Sequence, residues 1–157
     1  MKLRSVLLNE QQAKDISSWQ YEGTYALYNL PTWEERQQQN YALCNPVRRQ
    51  RFRGYINEEN QLIGFVNLLD EKEWVFFGIG VHPDYCSQGF GKKIMNLAIN
   101  ESQALYPNKP LRLEVRTWNE RAIKCYQSQG FEIIETKTQE THLGKGDFYV
   151  MVHHPKK

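Results

Sequence analysis

The spacing of apolar residues along this chain switches between a period of two and a period of three to four, and each switch marks an element. Residues 3–8 (Leu3-Arg-Ser-Val-Leu-Leu8) read as a first strand, and Asn9 is placed to cap a short helix reaching Trp19. Residues 19–33 are aromatic-rich and broken by Gly23 and Pro31, which predicts turns and partial helix. Thr32 caps a predicted helix over 33–43 that stops before Pro46. Residues 49–56, 61–69 and 74–81 read as three strands, turned at Asn57-Glu-Glu-Asn60 and Asp70-Glu-Lys72, an antiparallel meander. From Gly89 a helical pattern puts Phe90, Ile94, Leu97, Ala98 and Leu105 on one face, widened by Met95 and Ile99, and Pro107 and Pro110 end it. A strand over 111–115 follows, then a helix capped by Asn119 with Gly130 at its C-terminal end. Residues 131–136 and 147–153 close the pattern as an antiparallel pair. The expected fold is α/β (α+β), with a mixed, largely antiparallel central sheet and helices on both faces.

The richest segment chemically is Val81-His-Pro-Asp-Tyr-Cys-Ser-Gln-Gly-Phe-Gly-Lys-Lys93, which follows the apolar run Phe76-Phe-Gly-Ile-Gly-Val81. Strand, glycine turn and helix start together present several backbone N–H groups to one anion, and the helix dipole reinforces them. Lys92 and Lys93 stand in the first helical turn, where positive charge opposes that dipole unless an anion is bound. A Walker-type loop is excluded, because Cys86 stands at its first glycine and Lys93 at its Ser/Thr. A dinucleotide fingerprint lacks its third glycine, where Ile94 stands.

What remains, Cys86-Ser-Gln-Gly89-Phe-Gly91, resembles the acetyl-CoA loop of the GNAT family of N-acetyltransferases, Arg/Gln-x-x-Gly-x-Gly/Ala, with Cys86 departing from its first position. A second motif agrees: Asn119, Ala122, Tyr126, Gly130 and Phe131 match the family's Asn-x-x-Ala-x-x-x-Tyr-x-x-x-Gly-Phe. The resemblance covers roughly residues 50–153. It implies an acetyl-CoA-dependent N-acetyltransferase acting on a primary amine, by direct transfer through a tetrahedral intermediate. Ser87, Gln88, Gly89, Phe90, Gly91 and Lys92 would then cradle the pyrophosphate. The backbone of Ile79, Gly80 and Val81 would pair with the pantetheine arm, as a peptide does in strand addition, and the Val81 N–H would face the thioester oxygen. Asn119 would bond a pantetheine amide, and Tyr126 would protonate the departing thiolate. Glu114 matches the base position of the ribosomal-protein N-terminal acetyltransferase branch, with Arg112 and Arg116 on its strand face; a surface ion-pair ladder is the other reading, and Glu73 or a water relay are other routes for the proton.

Bulk properties narrow the rest. The 157 residues suit a single domain: 1–48 as acceptor-side helices, 49–131 as cofactor-binding core, 132–157 as a C-terminal strand pair. A net charge of +2 gives no argument for nucleic acid, and no run approaches a membrane span. Cys44, Cys86 and Cys125 are odd in number and widely spaced, against a disulfide framework or a cysteine zinc site, and His82, His142, His153 and His154 have no metal-ligand spacing. Cys86 beside lysines at a helix start is a reactive-thiol candidate or a passive small residue. Arg49, Arg51 and Arg53 would form a basic stripe along a strand, for solubility or an acidic substrate. Trp19, Tyr21, Tyr25, Tyr28 and Trp33 would box an ammonium or pack the first helices. The expected partner is a small-molecule or peptide amine in the cytoplasm, with no nucleic acid, membrane or metal, and with a homodimer as a compatible assembly. The rival readings are a non-catalytic acyl-CoA-binding or sensing module on the same fold, and an RNA-associated domain using the arginine stripe.

Overall fold

Asn9 ends the first strand and begins the first helix with one side chain. Its carbonyl oxygen accepts the Gln12 N–H at 2.8 Å while the Gln12 side chain accepts the Asn9 N–H at 3.1 Å, a reciprocal capping box. The computed structural model describes residues 2–86, 88–141 and 144–155. In order, the chain forms β1 (Arg4–Leu7), α1 (Glu10–Ser17), α2 (Trp33–Gln38), β2 (Phe52–Ile56), β3 (Leu62–Asp70), β4 (Val75–Val81), α3 (Phe90–Leu105), β5 (Leu111–Arg116), α4 (Glu120–Ser128), β6 (Glu132–Thr141) and β7 (Gly144–His153). The strands make a seven-stranded sheet in the order β1-β2-β3-β4-β5-β7-β6. Pairs β1/β2, β2/β3, β5/β7 and β6/β7 are antiparallel and β4/β5 is parallel, so the mixed, largely antiparallel sheet is as expected. Two compact units divide the chain: Met1–Asn67 with Ile79–Ile94, and Leu68–Gly78 with Met95–Lys157.

The first unit has a core of Leu8, Ala13, Ile16, Trp19, Ala42, Leu43 and Phe52, with Trp33 and Phe65 packed against it. Trp19 is therefore a core residue, tilted against Phe65 at 5.8 Å and edge-on to His82 at 5.0 Å. Arg36 is fully buried there; its Nη2 donates to the Ala13 carbonyl at 3.1 Å and to Ser17 Oγ, and burial lowers its pKa. Two expectations change in this unit. The helix beginning at Trp33 stops at Gln38 instead of running to residue 43, because Asn40 takes a left-handed φ of 57° and Tyr41 N–H returns to the Arg36 carbonyl at 3.0 Å. Strand β2 begins at Phe52, since Arg48–Arg51 form a 3-10 turn that Asn45 opens by accepting the Val47 and Arg48 N–H groups at 3.0 and 3.1 Å. The alternating stripe of Arg49, Arg51 and Arg53 therefore does not form. Arg49 is buried, with its Nε donating to the Leu43 carbonyl at 2.7 Å.

In the second unit β7 lies between β5 and β6, and both flanking strands run antiparallel to it. The β6/β7 pair is longer than the sequence pattern indicated and carries a bulge between Ile133 and Glu135. Phe131, buried, has its ring 6.0 Å from Phe77, 5.9 Å from Tyr126 and 5.3 Å from His153. Helix α3 buries Phe90, Ile94, Met95, Ala98 and Ser102, while Leu105 is 46% exposed. The buried row thus advances by fours and reaches Ser102, and Leu105 has rotated off it. Among the described residues no helix is long and apolar enough to cross a membrane.

Candidate active site

The candidate residues divide between the two units. Ile79, Gly80 and Val81 end β4, and Gln88, Gly89, Phe90, Gly91 and Lys92 form the turn and first residues of α3, all in the first unit. Glu114, Asn119 and Tyr126 belong to the second, on β5, at the cap of α4 and within α4. Ser87 lies outside the described residues, as does His142.

In the first unit the backbone does most of the shaping. A Cβ on Gly80 would sit 2.5 Å from Phe65 Cε1, and one on Gly64 would sit 2.8 Å from the Gly80 carbonyl oxygen. The strands carrying these glycines therefore approach closely in a way no larger residue permits. The Tyr21 hydroxyl donates to the Val81 carbonyl at 2.7 Å, and Cys86 Sγ points at the Val81 and His82 carbonyls, each 3.6 Å away. Tyr21 thus secures the end of β4, a role its place in an aromatic run did not disclose. His82 Nδ1 accepts the Asp84 N–H at 3.1 Å, and Gln88 Nε2 donates to the Asp84 carbonyl at 2.9 Å, which shapes the turn. Gly89 then adopts φ +86°, with nothing within 4 Å of the position its Cβ would take. Its glycine is required by conformation rather than by crowding.

Helix α3 starts immediately after Gly89, and Lys93 N–H bonding back to the Gly89 carbonyl at 3.4 Å is its first turn. The N–H groups of Phe90, Gly91 and Lys92 have no acceptor within the helix. No acidic side chain occupies that turn, and Lys92 and Lys93 are exposed beside it. The Phe90 ring is buried edge-on to Tyr85 at 5.5 Å, so only its backbone is available to a ligand. A turn with left-handed glycine, helix N–H groups that lack an intrahelical acceptor and flanking cations suits an anionic diphosphate.

In the second unit the side chains carry the chemistry. Asn119 is buried and accepts the Ala122 N–H at 3.2 Å, capping α4. Strand β5 alternates buried and half-buried positions, which puts Arg112, Glu114 and Arg116 on one face. Glu114 Oε2 pairs with Lys137 Nζ at 2.6 Å, and Oε1 accepts from Gln139 Nε2 at 2.8 Å. Burial alone would raise the Glu114 pKa. The hydrogen bonds from Lys137 and Gln139, with the charges of Lys137 and Arg112, outweigh it and hold the carboxyl below its ordinary value. The arginines that flank Glu114 stack on aromatic rings, Arg112 over Trp74 and Arg116 over Phe148, each 4.8 Å from the ring centre. Lys137 and Gln139, not the neighbours on its own strand, are thus the hydrogen-bond donors to Glu114. Sequence reasoning missed both. The one available signal was their spacing of two on β6, which puts them on a common strand face.

Parallel pairing of β4 with β5 places Val75 opposite Leu111 and Phe76 opposite Arg112. Among the described residues no group of three or more His, Cys, Asp or Glu side chains is placed to hold a metal. Cys44, Cys86 and Cys125 form no disulfide.

Against known proteins, the family model described as acetyltransferase (GNAT) matches residues 12–131. The [ribosomal protein bS18]-alanine N-acetyltransferase of Haemophilus ducreyi is 39% identical over 80 residues, 49% of this chain and 53% of that protein. The peptidyl-lysine N-acetyltransferase YiaC of Escherichia coli is 34% identical over 87 residues, 55% of this chain and 54% of that protein. The chain thus spans about half the length of the curated relatives it matches, at 53% and 54%. Among solved structures, a spermidine N-acetyltransferase SpeG chimera from Vibrio cholerae and hSSAT has a TM-score of 0.77 at 19% identity, over 98% of this chain and 96% of that one. The ribosomal-protein-S18-alanine N-acetyltransferase from Escherichia coli has a TM-score of 0.71 at 20% identity, over 99% and 96%.

Proposed function

This chain belongs to the acetyltransferase (GNAT) family, and we propose that it transfers the acetyl group of acetyl-CoA directly to a primary amine, as a single domain in the cytoplasm. The observation that carries this reading is Gly89, left-handed and open at the start of α3, with first-turn N–H groups and exposed Lys92 beyond it. Gln88, Gly89, Phe90 and Gly91 would hold the pyrophosphate through their backbone and Lys92 through its charge. Ser87 belongs to the same loop by sequence. Ile79, Gly80 and Val81 would hold the pantetheine arm, with the Val81 N–H toward the thioester oxygen, and Asn119 would bond an amide of that arm. Bound acetyl-CoA supplies an acyl carbon already activated as a thioester.

The amine must shed a proton. At pH 7 the neutral form of an alkylamine costs about 4.6 kcal/mol, a cost set by its reference pKa and bulk pH whatever route the proton takes. Glu114, kept ionised by Lys137 and Gln139, would therefore act as a path for the proton to solvent more than as a strong base. Tyr126 would return a proton to the departing sulfur. The relatives' names, an alanine N-terminal and a peptidyl-lysine acetyltransferase, make peptide amines the first acceptors to try, ahead of polyamines.

A thermal melt with acetyl-CoA at about 100 times its Kd tests the cofactor, because linkage then adds about 2.7 kcal/mol. For a chain of this length that is a rise of about 5–11 °C. The rise should be absent with ATP or NAD, and thiol release should follow when amines are added. No rise with acetyl-CoA would remove the reading, and a rise without turnover of any amine would favour the acyl-CoA sensor instead.

A further inference from the structure

A general base must stand within hydrogen-bond reach, about 2.6–3.2 Å, of the nitrogen whose proton it takes. Lys137 Nζ already stands 2.6 Å from Glu114 Oε2. Both side chains reach across one face of the β5/β7/β6 ladder, since Glu114 lies opposite Val150, and Lys137 lies opposite Phe148 one row along. Gln139 holds the other carboxylate oxygen at 2.8 Å, which fixes the carboxylate toward the amine. The Lys137 side chain is 32% exposed, so it is packed against its partner yet reachable. Two further lysine ion pairs, Lys14 with Glu10 and Lys109 with Asp70, lie on carboxylates with no assigned chemistry.

We propose that Lys137 is an internal acetyl acceptor, modified by the chain's own transfer reaction with Glu114 as the proton path. This rests on the reading of Glu114 and of acetyl-CoA given above. In the step, the Lys137 ammonium loses a proton to Glu114 Oε2 and its nitrogen forms a bond to the acetyl carbon. The carbon–sulfur bond breaks, and the sulfur takes a proton from Tyr126. Glu114 passes its proton to water, the second nitrogen proton leaves to solvent, and Tyr126 is reprotonated from solvent, so the net release is one proton, CoA thiol and an amide on Lys137. Acetylation removes the Lys137 charge at Glu114 and leaves the hydrogen bond from Gln139 and the charge of Arg112 acting on the carboxylate.

Purified full-length protein is incubated with isotopically labelled acetyl-CoA, and acetyl occupancy is mapped at each lysine by peptide mass spectrometry. Lys137 should be labelled at least about tenfold faster than exposed Lys72, Lys124 and Lys145, with a rate independent of protein concentration, as an intramolecular reaction requires. Glu114→Gln should slow Lys137 at least about tenfold, the size expected when a proton path is removed. Lys137→Arg should lose only that site. Acetyl phosphate, which reacts without an enzyme, should show no preference for Lys137. The proposal is overturned if Lys137 is labelled no faster than the exposed lysines, if its rate rises with protein concentration, or if Glu114→Gln leaves it unchanged. Unlabelled Lys137 in protein whose melt does shift with acetyl-CoA removes this proposal alone. An unshifted melt removes the function reading and this inference with it.

Discussion

The β4–α3 segment of the first unit is shaped by backbone, whereas the Glu114 cluster of the second is shaped by side-chain charge. In the former, Gly64 and Gly80 permit a close approach and Gly89 permits a left-handed turn, with Tyr21 fixing the Val81 carbonyl. In the latter, Glu114, Lys137 and Gln139 hold one another at 2.6 and 2.8 Å on a strand face, and no unusual φ is involved. Damage to the first kind of site acts through the backbone, by crowding at Gly64 and Gly80 and by a left-handed φ at Gly89. Damage to the second kind is graded, because each charge can be removed while the strands stay paired.

Substitutions can break or sharpen this contrast. The largest effect belongs to Tyr126→Phe, expected to lower kcat by 10²-fold or more, the usual size for a general acid, with acetyl-CoA affinity spared. An unchanged kcat, with chemistry shown to be rate-limiting, would remove its acid role. Next comes Gly80→Ala, whose Cβ would meet the rigid Phe65 ring at 2.5 Å. It should cost about 1–3 kcal/mol in urea unfolding, the usual price of overpacking. Gly89→Ala meets no atom but must hold φ +86°, which should cost about 1–2 kcal/mol. Its acetyl-CoA Kd, read by calorimetry, should rise more than that of Gly80→Ala relative to the stability each loses; the reverse order would mean the turn is not the anion site.

The smallest effect tests the charged cluster. Glu114 has a lowered pKa, so its pairing stabilises the fold above the ordinary carboxylate range and that contribution is lost as pH falls through the folded value. Lys137→Met removes the main cation, so the Glu114 pKa should rise. The acid limb of kcat/KM should then move to higher pH, and the stability lost as pH falls from neutral through and below the ordinary carboxylate range should shrink relative to wild type. A pH–rate profile that ignores the substitution would separate Glu114 from the proton path.

Much of the fold was legible in the sequence because its signals are local. Asn9, Thr32 and Asn119 each cap the helix expected of them, and Gly130 at φ 96° follows the end of α4. The glycine turn before α3 was legible for the same reason, since two glycines after a strand restrict the backbone whatever surrounds them. The misreadings arose where an asparagine set the backbone. Asn40, at a left-handed φ of 57°, closed α2 early, and the Asn45 side chain turned Arg48–Arg51 into a 3-10 segment, so Arg49 went inward. Trp19 and Tyr21 were equal members of an aromatic run, yet one is core and the other reaches the end of β4.

The sequence by itself determined the two motifs, the caps and the left-handed glycine, because each depends on residues within a few positions of one another. The partners of Glu114 were decided by tertiary structure. The bulge between Ile133 and Glu135 puts Glu135 opposite Val150, and with it Lys137 and Gln139 on the Glu114 face. Without that extra residue the even-numbered Ile134, Thr136 and Thr138 would stand there, since a slip of one position turns every side chain to the other side of the sheet. Which parity wins depends on how β6 pairs with β7 and β7 with β5, and pairing across strands is not written in the local pattern of any one of them.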